Sequence, residues 1–266
     1  VSLENLHLMC MKYSIIVSRD CEVTVETGID GDVWDINGPH FKNLSSRVKD
    51  NYLILEAITN ELKHKITVAE AIDIHYGKQK INKSAKSITR QIEFEASAYR
   101  EYSFIKYVSI YTTNDDVPDA AQACLNNVRS SFAKGYSALY ENHCNLWNKR
   151  WQKADVLIEG DDKAQFALRF SIYHLLAVAP IHSDKVSIPA RSLSSQVYRG
   201  AIFWDTELYM LPFFIYNFPE IASNLVRYRI NSLQGARQKA QEYGYKGAFY
   251  AWESQDDGKD ACTHFN

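Results

Sequence analysis

The chain lacks most of the features that announce a simple chemistry. Its five cysteines, Cys10, Cys21, Cys124, Cys144 and Cys262, are odd in number, scattered and free of any CxxC pair. That argues against a disulfide framework and against a cysteine-rich zinc site, and the expectation is reduced, packed thiols in a cytoplasmic protein. No apolar run reaches the roughly 18 residues of a membrane-spanning helix. The opening VSLENLHLMCMKYSIIV has neither a basic start nor a small-residue cleavage site, so it does not read as a signal peptide. There is no glycine-rich phosphate loop and no serine nucleophile elbow. With 30 Lys and Arg against 32 Asp and Glu, the net charge of −2 supplies no basic surface for nucleic acid or an anionic membrane. Asp30 and Asp32 in DGDVWD miss the EF-hand register and read as a turn. Cys262 and His264 are too few for zinc, and the other histidines share no spacing. No metal and no cofactor is expected.

What is present is a globular composition, 46% hydrophobic and 23% charged over 266 residues, enough for one large domain or two ordinary ones. Aromatics make up 13%, including 17 Tyr and 5 Trp. Such a share suits a sugar-handling protein and an aromatic core equally.

Two periodicities divide the chain. Up to about residue 115 the pattern alternates: Tyr13, Ile15 and Val17 share one face of KYSIIVS, and Cys21, Val23 and Val25 one face of CEVTV. NYLILEAI, KITVAEAIDI, SITRQIEFEA and YSFIKYVSIY continue it. Period-2 runs rich in β-branched and aromatic residues predict antiparallel strands in a β-sandwich, with TGIDGD and NGPH as turns. TTNDDVPDA marks the change, with Asp115 or Asp116 able to cap a helix whose first turn holds Pro118. Leu125, Val128, Phe132, Tyr136, Leu139, Leu146 and Trp147 then recur at helical spacing, with a break expected near Lys134-Gly135. After the polar IEGDD, Phe166, Phe170, Tyr173, Leu176 and Ala177 form the expected inner stripe of a further helix. A last helix is expected from Pro219 to Gly244, with Ile221, Leu225, Tyr228 and Leu233 inside. Strands first and helices after predict two domains joined by a helical linker.

Two loop-like segments between the helices, SIPARSLSSQVYRGAIFWDTE and YKGAFYAWESQDDGKD, each set a Trp beside an acid: Trp204-Asp205 and Trp252-Glu253. An indole face packs on the apolar side of a pyranose, and a carboxylate accepts strong hydrogen bonds from two adjacent hydroxyls once water is excluded. The plainer alternative is a core Trp and a helix-capping or solvated acid. Asp205 and Glu207 diverge on a helix, and on an extended segment their carboxyls lie closer than the roughly 6.5–9.5 Å an inverting pair needs. Asp205 is therefore assigned to the sugar and Glu207 to the scaffold.

YRGAIFWDTELYMLPFF resembles the signature of glycoside hydrolase family 65, mainly disaccharide phosphorylases. ETGIDGDVWDINGPH is similar to that family's N-terminal sandwich. VSIPARSLS and PEIASNLVRYRINSLQGARQKAQEYGYKGAFYAWES match its early catalytic domain in order and spacing. The resemblance implies a β-supersandwich over residues 1–115, a helical linker over 116–158 and the first part of an (α/α)6 barrel over 159–266. It implies that Trp204 and Asp205 line the donor glucose subsite, that Trp252 and Glu253 lie nearer the acceptor, and that Arg199 is close by. It implies inverting phosphorolysis of an α-glucosidic disaccharide, with inorganic phosphate as co-substrate and a homodimer as the intact enzyme. A trehalose-type hydrolase of the same family and a non-catalytic sugar-binding piece are the alternatives. Family members are longer, so the chain is expected to be a fragment truncated at both ends, its general acid Glu lying beyond Asn266 and the fragment itself inactive. Two positions depart from the family pattern: Ala201 stands where a His is frequent, and Gln255-Asp256-Asp257-Gly258 where Ala-Asp-Thr-Gly is frequent.

Overall fold

Ten strands and six helices account for the two periodicities in the computed structural model, which describes residues 1–35, 38–192, 198, 200–254 and 258–262. The chain divides into two compact units, Val1–Lys149 and Arg150–Asn266.

In the first unit the strands are β1 (Leu8–Ile16), β2 (Cys21–Asp30), β3 (Trp34–Asp35), β4 (Gly38–Pro39), β5 (Phe41–Lys49), β6 (Tyr52–Thr59), β7 (Lys65–Asp73), β8 (Lys78–Lys83), β9 (Ser87–Ala96) and β10 (Glu101–Thr112). A five-stranded antiparallel sheet runs β1-β10-β7-β6-β5, a three-stranded one β2-β9-β8, and β3 pairs with β4. The central strands of the larger sheet are buried on both faces, so their side chains sort by parity. Leu53, Leu55 and Ala57 of β6 face the smaller sheet and pack with Ile29 and Ile88. Ile54, between them, turns the other way. With Leu8, Ala69, Ala71 and Tyr107 it packs on Cys124, Leu125 and Val128 of the first helix, α1 (Ala120–Lys134). The two alanines leave the room a helix needs. Burial pushes the Cys124 thiol up to about 11.

A charged pair also lies between the sheets. Glu70 of β7 is fully buried, 3.1 Å from Lys106 of β10, and Lys106 donates to the Gly28 carbonyl of β2 at 2.9 Å. Burial raises the Glu70 carboxyl above its ordinary value against the opposing pull of Lys106.

Three local expectations are corrected here. TGIDGD is no turn up to Asp30: β2 runs through it, because Gly28 lets β2 press on β9 where an added Cβ would lie 2.3 Å from the Ile88 carbonyl oxygen. Asp32 alone bends back, its amide donating to the Asp30 carboxylate. NGPH is in part strand, since Gly38–Pro39 form β4, and its Asn37 lies outside the described residues. The first helix is capped by Asp119, whose carboxylate accepts from the Gln122 amide, while Asp115 accepts from the Thr112 amide and Pro118 precedes the cap. The break at Gly135 is as expected: its φ of +80° ends α1, and α2 (Tyr136–Ala154) follows.

In the second unit, Asp161 caps α3 (Asp162–Val178) through the amides of Lys163 and Ala164. Then come a π-helical turn (Thr206–Met210), α4 (Leu211–Asn217), α5 (Pro219–Asn231) and α6 (Leu233–Glu242). The helix expected from Pro219 to Gly244 is two, which meet at Ser232: its ψ of 4° kinks the backbone, although its amide still donates to the Tyr228 carbonyl and its own carbonyl accepts from the Ala236 amide. Ile221, Leu225 and Tyr228 are buried as expected, and Leu233 only partly. The expected inner stripe of α3 is corrected: Ile172 and Leu176 are buried, but Phe166 is 71% exposed, Phe170 56% and Tyr173 44%. Their periodicity marks an apolar face that stands exposed at Phe166 and Phe170.

Candidate active site

The two Trp-acid segments, about fifty residues apart in sequence, meet through one antiparallel bridge. The Ile202 amide donates to the Ser254 carbonyl at 2.9 Å and the Ser254 amide returns to Ile202 at 3.0 Å. Three residues on each side of this bridge build the site.

On the first side, Phe203 is buried and Trp204 stands out, 37% exposed. The backbone then turns helical at Asp205, with φ −52° and ψ −34°, and begins the π turn, in which the Leu211 amide reaches back five residues to the Thr206 carbonyl. A π turn costs the regular ladder, and such turns gather at functional sites. Buried Thr206 anchors it by donating its hydroxyl to the Ile188 carbonyl at 2.8 Å. On the second side, Ala251 and Ser254 are buried while Trp252 is 43% exposed. The Trp204 indole N–H donates to the Ala251 carbonyl at 2.9 Å, and the two indoles meet edge to face, 5.2 Å between centroids at 85°. Phe203 lies 5.5 Å from Trp252, and Tyr198 5.1 Å from Phe203. The result is a wall of rings fixed at one edge and open at the other.

The carboxylates differ. Asp205 and Glu253 are both partly exposed, and among the described residues the Asp205 carboxylate has no hydrogen bond or ion pair. It is available to a ligand. Glu207, two residues on, is turned to the scaffold and pairs with Arg229 at 2.7 Å.

Arg229 sits in the last turn of α5, inside a run that matches the family's catalytic domain, but its helical spacing gives it no role distinct from its neighbours. Its guanidinium donates to the Phe203 carbonyl at 2.9 Å, to Ser254 Oγ at 3.0 Å and to Glu207. Lys239 of α6 was missed likewise. It lies 4.3 Å from the Phe249 ring centroid and pairs with Asp260 at 2.5 Å, holding the second segment from behind. Burial opposes the Asp260 charge, yet the hydrogen bonds from Lys239 and the Cys262 amide outweigh it and keep that carboxyl below its ordinary value.

Arg199 lies outside the described residues, as do Gln255, Asp256 and Asp257. Ala201 is buried, 1% exposed, behind the ring wall. Among the described residues no cluster of three or more His, Cys, Asp or Glu is arranged to hold a metal. Nor is any helix long and apolar enough to cross a membrane.

The whole length of the chain finds relatives. Residues 1–150 match the N-terminal domain of glycosyl hydrolase family 65, and residues 169–266 match its central catalytic domain. The chain belongs to glycosyl hydrolase family 65.

Among family 65 proteins, the nigerose phosphorylase of Lachnoclostridium phytofermentans is 42% identical over 289 residues, which take in 100% of this chain and 38% of that protein. The kojibiose phosphorylase of Halothermothrix orenii is 37% identical, over 100% of this chain and 36% of that protein. The chain thus spans little more than a third of these relatives. A solved chain from human microbiome, provisionally named a kojibiose phosphorylase, superimposes with a TM-score of 0.86 at 22% identity, over 96% of this chain and 34% of that one. Antiparallel sheets followed by helices, as read from the sequence, is therefore the fold of this family 65 chain.

Proposed function

We propose that this chain carries the donor-sugar wall of an inverting α-glucoside phosphorylase. The observation that carries the reading is the bridge joining Ile202 to Ser254, which sets exposed Trp204 and Trp252 edge to face beside an Asp205 carboxylate with no partner among the described residues. A wall of rings takes the C–H face of a glucose ring, and the carboxylate takes two of its hydroxyls. Those bonds strengthen as positive charge grows on the ring in the transition state. Glu253 faces the acceptor sugar, and Arg199 borders the pocket.

The chemistry needs one proton donor and one nucleophile. Inorganic phosphate attacks the anomeric carbon from the face opposite the leaving oxygen, forming a C–O bond as the glycosidic C–O bond breaks. A carboxylic acid protonates the departing oxygen. The products are β-glucose 1-phosphate and a free sugar. Phosphate replaces the water and base of an inverting hydrolase, so no second catalytic carboxylate is required in these segments, and no metal. The acid is assigned to a Glu outside this chain. The relatives support phosphorolysis by name; which disaccharide is cleaved is a matter for assay, with nigerose and kojibiose foremost. The proposal includes a β-supersandwich over residues 1–115, a linker over 116–158, the first helices of an (α/α)6 barrel over 159–266, and a cytoplasmic homodimer as the working enzyme.

The test is to incubate the full-length gene product with kojibiose, maltose, nigerose and trehalose, with and without phosphate. Phosphate-dependent appearance of glucose 1-phosphate is expected from one of them. Glucose release indifferent to phosphate would make it a hydrolase. Binding of a glucoside without turnover would reduce it to a sugar-binding module.

A further inference from the structure

We infer that Arg229 is the positioning residue of this site: it fixes the angle of the ring wall and the place of Asp205 without touching the sugar itself. The inference rests on the sugar-site reading above. Arg229 stands behind the wall, its side chain only 12% exposed. Its planar guanidinium bonds both segments at once, through the Phe203 carbonyl on the first and Ser254 Oγ on the second. Ser254 Oγ in turn donates to the Ile202 carbonyl at 3.2 Å. The backbone of Arg229 serves the same junction, since its carbonyl accepts the Tyr250 hydroxyl at 2.9 Å. Tyr250 precedes Ala251, whose carbonyl receives the Trp204 indole N–H. The bonds therefore close on themselves, from Arg229 through Phe203 and Trp204 to Ala251 and Tyr250 and back.

Glu207 sets the direction of the guanidinium. One carboxylate oxygen pairs with Arg229, while the other is buried and has no hydrogen-bond partner. An orphaned carboxylate oxygen is costly, so this pair is poorly explained as a device for stability alone. It is better explained by what it aims. Three acceptors in fixed directions suit a rigid fork, and a lysine ammonium on a flexible stem cannot hold all three. A slackened junction lets Asp205, two residues beyond the bonded Phe203 carbonyl, drift from the ring hydroxyls.

The test compares Arg229→Lys and Glu207→Gln with the unaltered full-length protein in three readouts. These are thermal melting, kcat and KM for glucoside and phosphate, and the far-ultraviolet exciton couplet of the perpendicular indoles, assigned with Trp252→Phe. Arg229→Lys is expected to keep its fold, lose most of the couplet and lose about 100-fold in kcat, the scale of a 1 Å misplacement, with KM for phosphate unmoved. Glu207→Gln shows the same pattern more weakly, and it carries the test if Arg229→Lys melts early. Wild-type kcat in a folded variant overturns the inference whatever the couplet shows. If the unaltered protein turns over no glucoside, the phosphorylase reading has failed separately. The couplet then decides alone: its loss at unchanged melting supports the positioning role, and its persistence overturns it.

Discussion

The indole N–H of Trp204 is bonded to the Ala251 carbonyl, so the ring of one segment is hung from the backbone of the other. This makes the site a joint property of two segments that lie about fifty residues apart in sequence. Trp204→Phe retains an aromatic face but leaves that carbonyl unpaired, at a cost of about 1 kcal/mol. The expected fall in Tm is about 2–4 °C, read in a calorimetric melt. A variant that melts with the parent would show that the bond contributes nothing in solution.

Asp205 is the reverse case. Asp205 makes no hydrogen bond or ion pair among the described residues, so Asp205→Asn is expected to melt with the parent. If Asp205 holds the sugar as proposed, the same substitution in the full-length protein removes charge-assisted bonds worth about 1.5–3 kcal/mol, and kcat/KM is expected to fall by roughly 10–150-fold. A lowered Tm with normal turnover would place Asp205 in the scaffold.

Gly258 has φ +76°, and an added Cβ would lie 2.3 Å from the Ser232 carbonyl oxygen. Backbone on backbone cannot yield as a flexible side chain can. Gly258→Ala is therefore expected to push the 258–262 strip off Ser232 and loosen the bridges at Ser254, lowering Tm and the indole couplet together. Changes in neither would mean the strip moves freely.

Lys106→Met strands a buried carboxylate, and the expected cost at pH 7 is about 3–5 kcal/mol. The sign of its pH dependence follows from Glu70, whose folded value lies above the ordinary 4.5 and rises further once the lysine is gone. A raised carboxyl adds stability when protonated and loses it as pH climbs through the folded value. The penalty should therefore shrink as pH falls from 7 toward 4.5. Urea titrations at several pH values measure it, and a penalty independent of pH would exclude Glu70 as its source.

Phe166 and Phe170 give α3 an apolar edge exposed to water, their rings stacked at 6.2 Å. Exposed patches of this kind drive association. The chain by itself is expected to sediment above its monomer mass of 30.5 kDa at high concentration. Phe166→Ser with Phe170→Ser should restore the monomer with little change in Tm. A chain monomeric at every concentration would refute this.

The change of period at about residue 115 was enough to read strands followed by helices, because alternation and helical spacing are local consequences of which face is buried. Parity did not say what covers each face: Ile54 and Leu55 look alike in sequence, yet one meets α1 and the other the smaller sheet. For the same reason the α3 stripe was legible as apolar but not as exposed. Glycine and serine misled where their neighbours decided the outcome, with Gly28 inside a strand and Ser232 at the meeting of two helices.

At the site, the chemical inventory of two indoles each beside an acid was legible in the residues alone, since ring faces and carboxylates are properties of single residues. The division of labour between Asp205 and Glu207 was also legible there, but that the two pairs meet, that Glu207 pairs with Arg229, and that Arg229 ties both segments came from the folded chain. Those are matters of direction and distance between residues far apart in the chain, and a hydrogen bond reaches only about 3 Å.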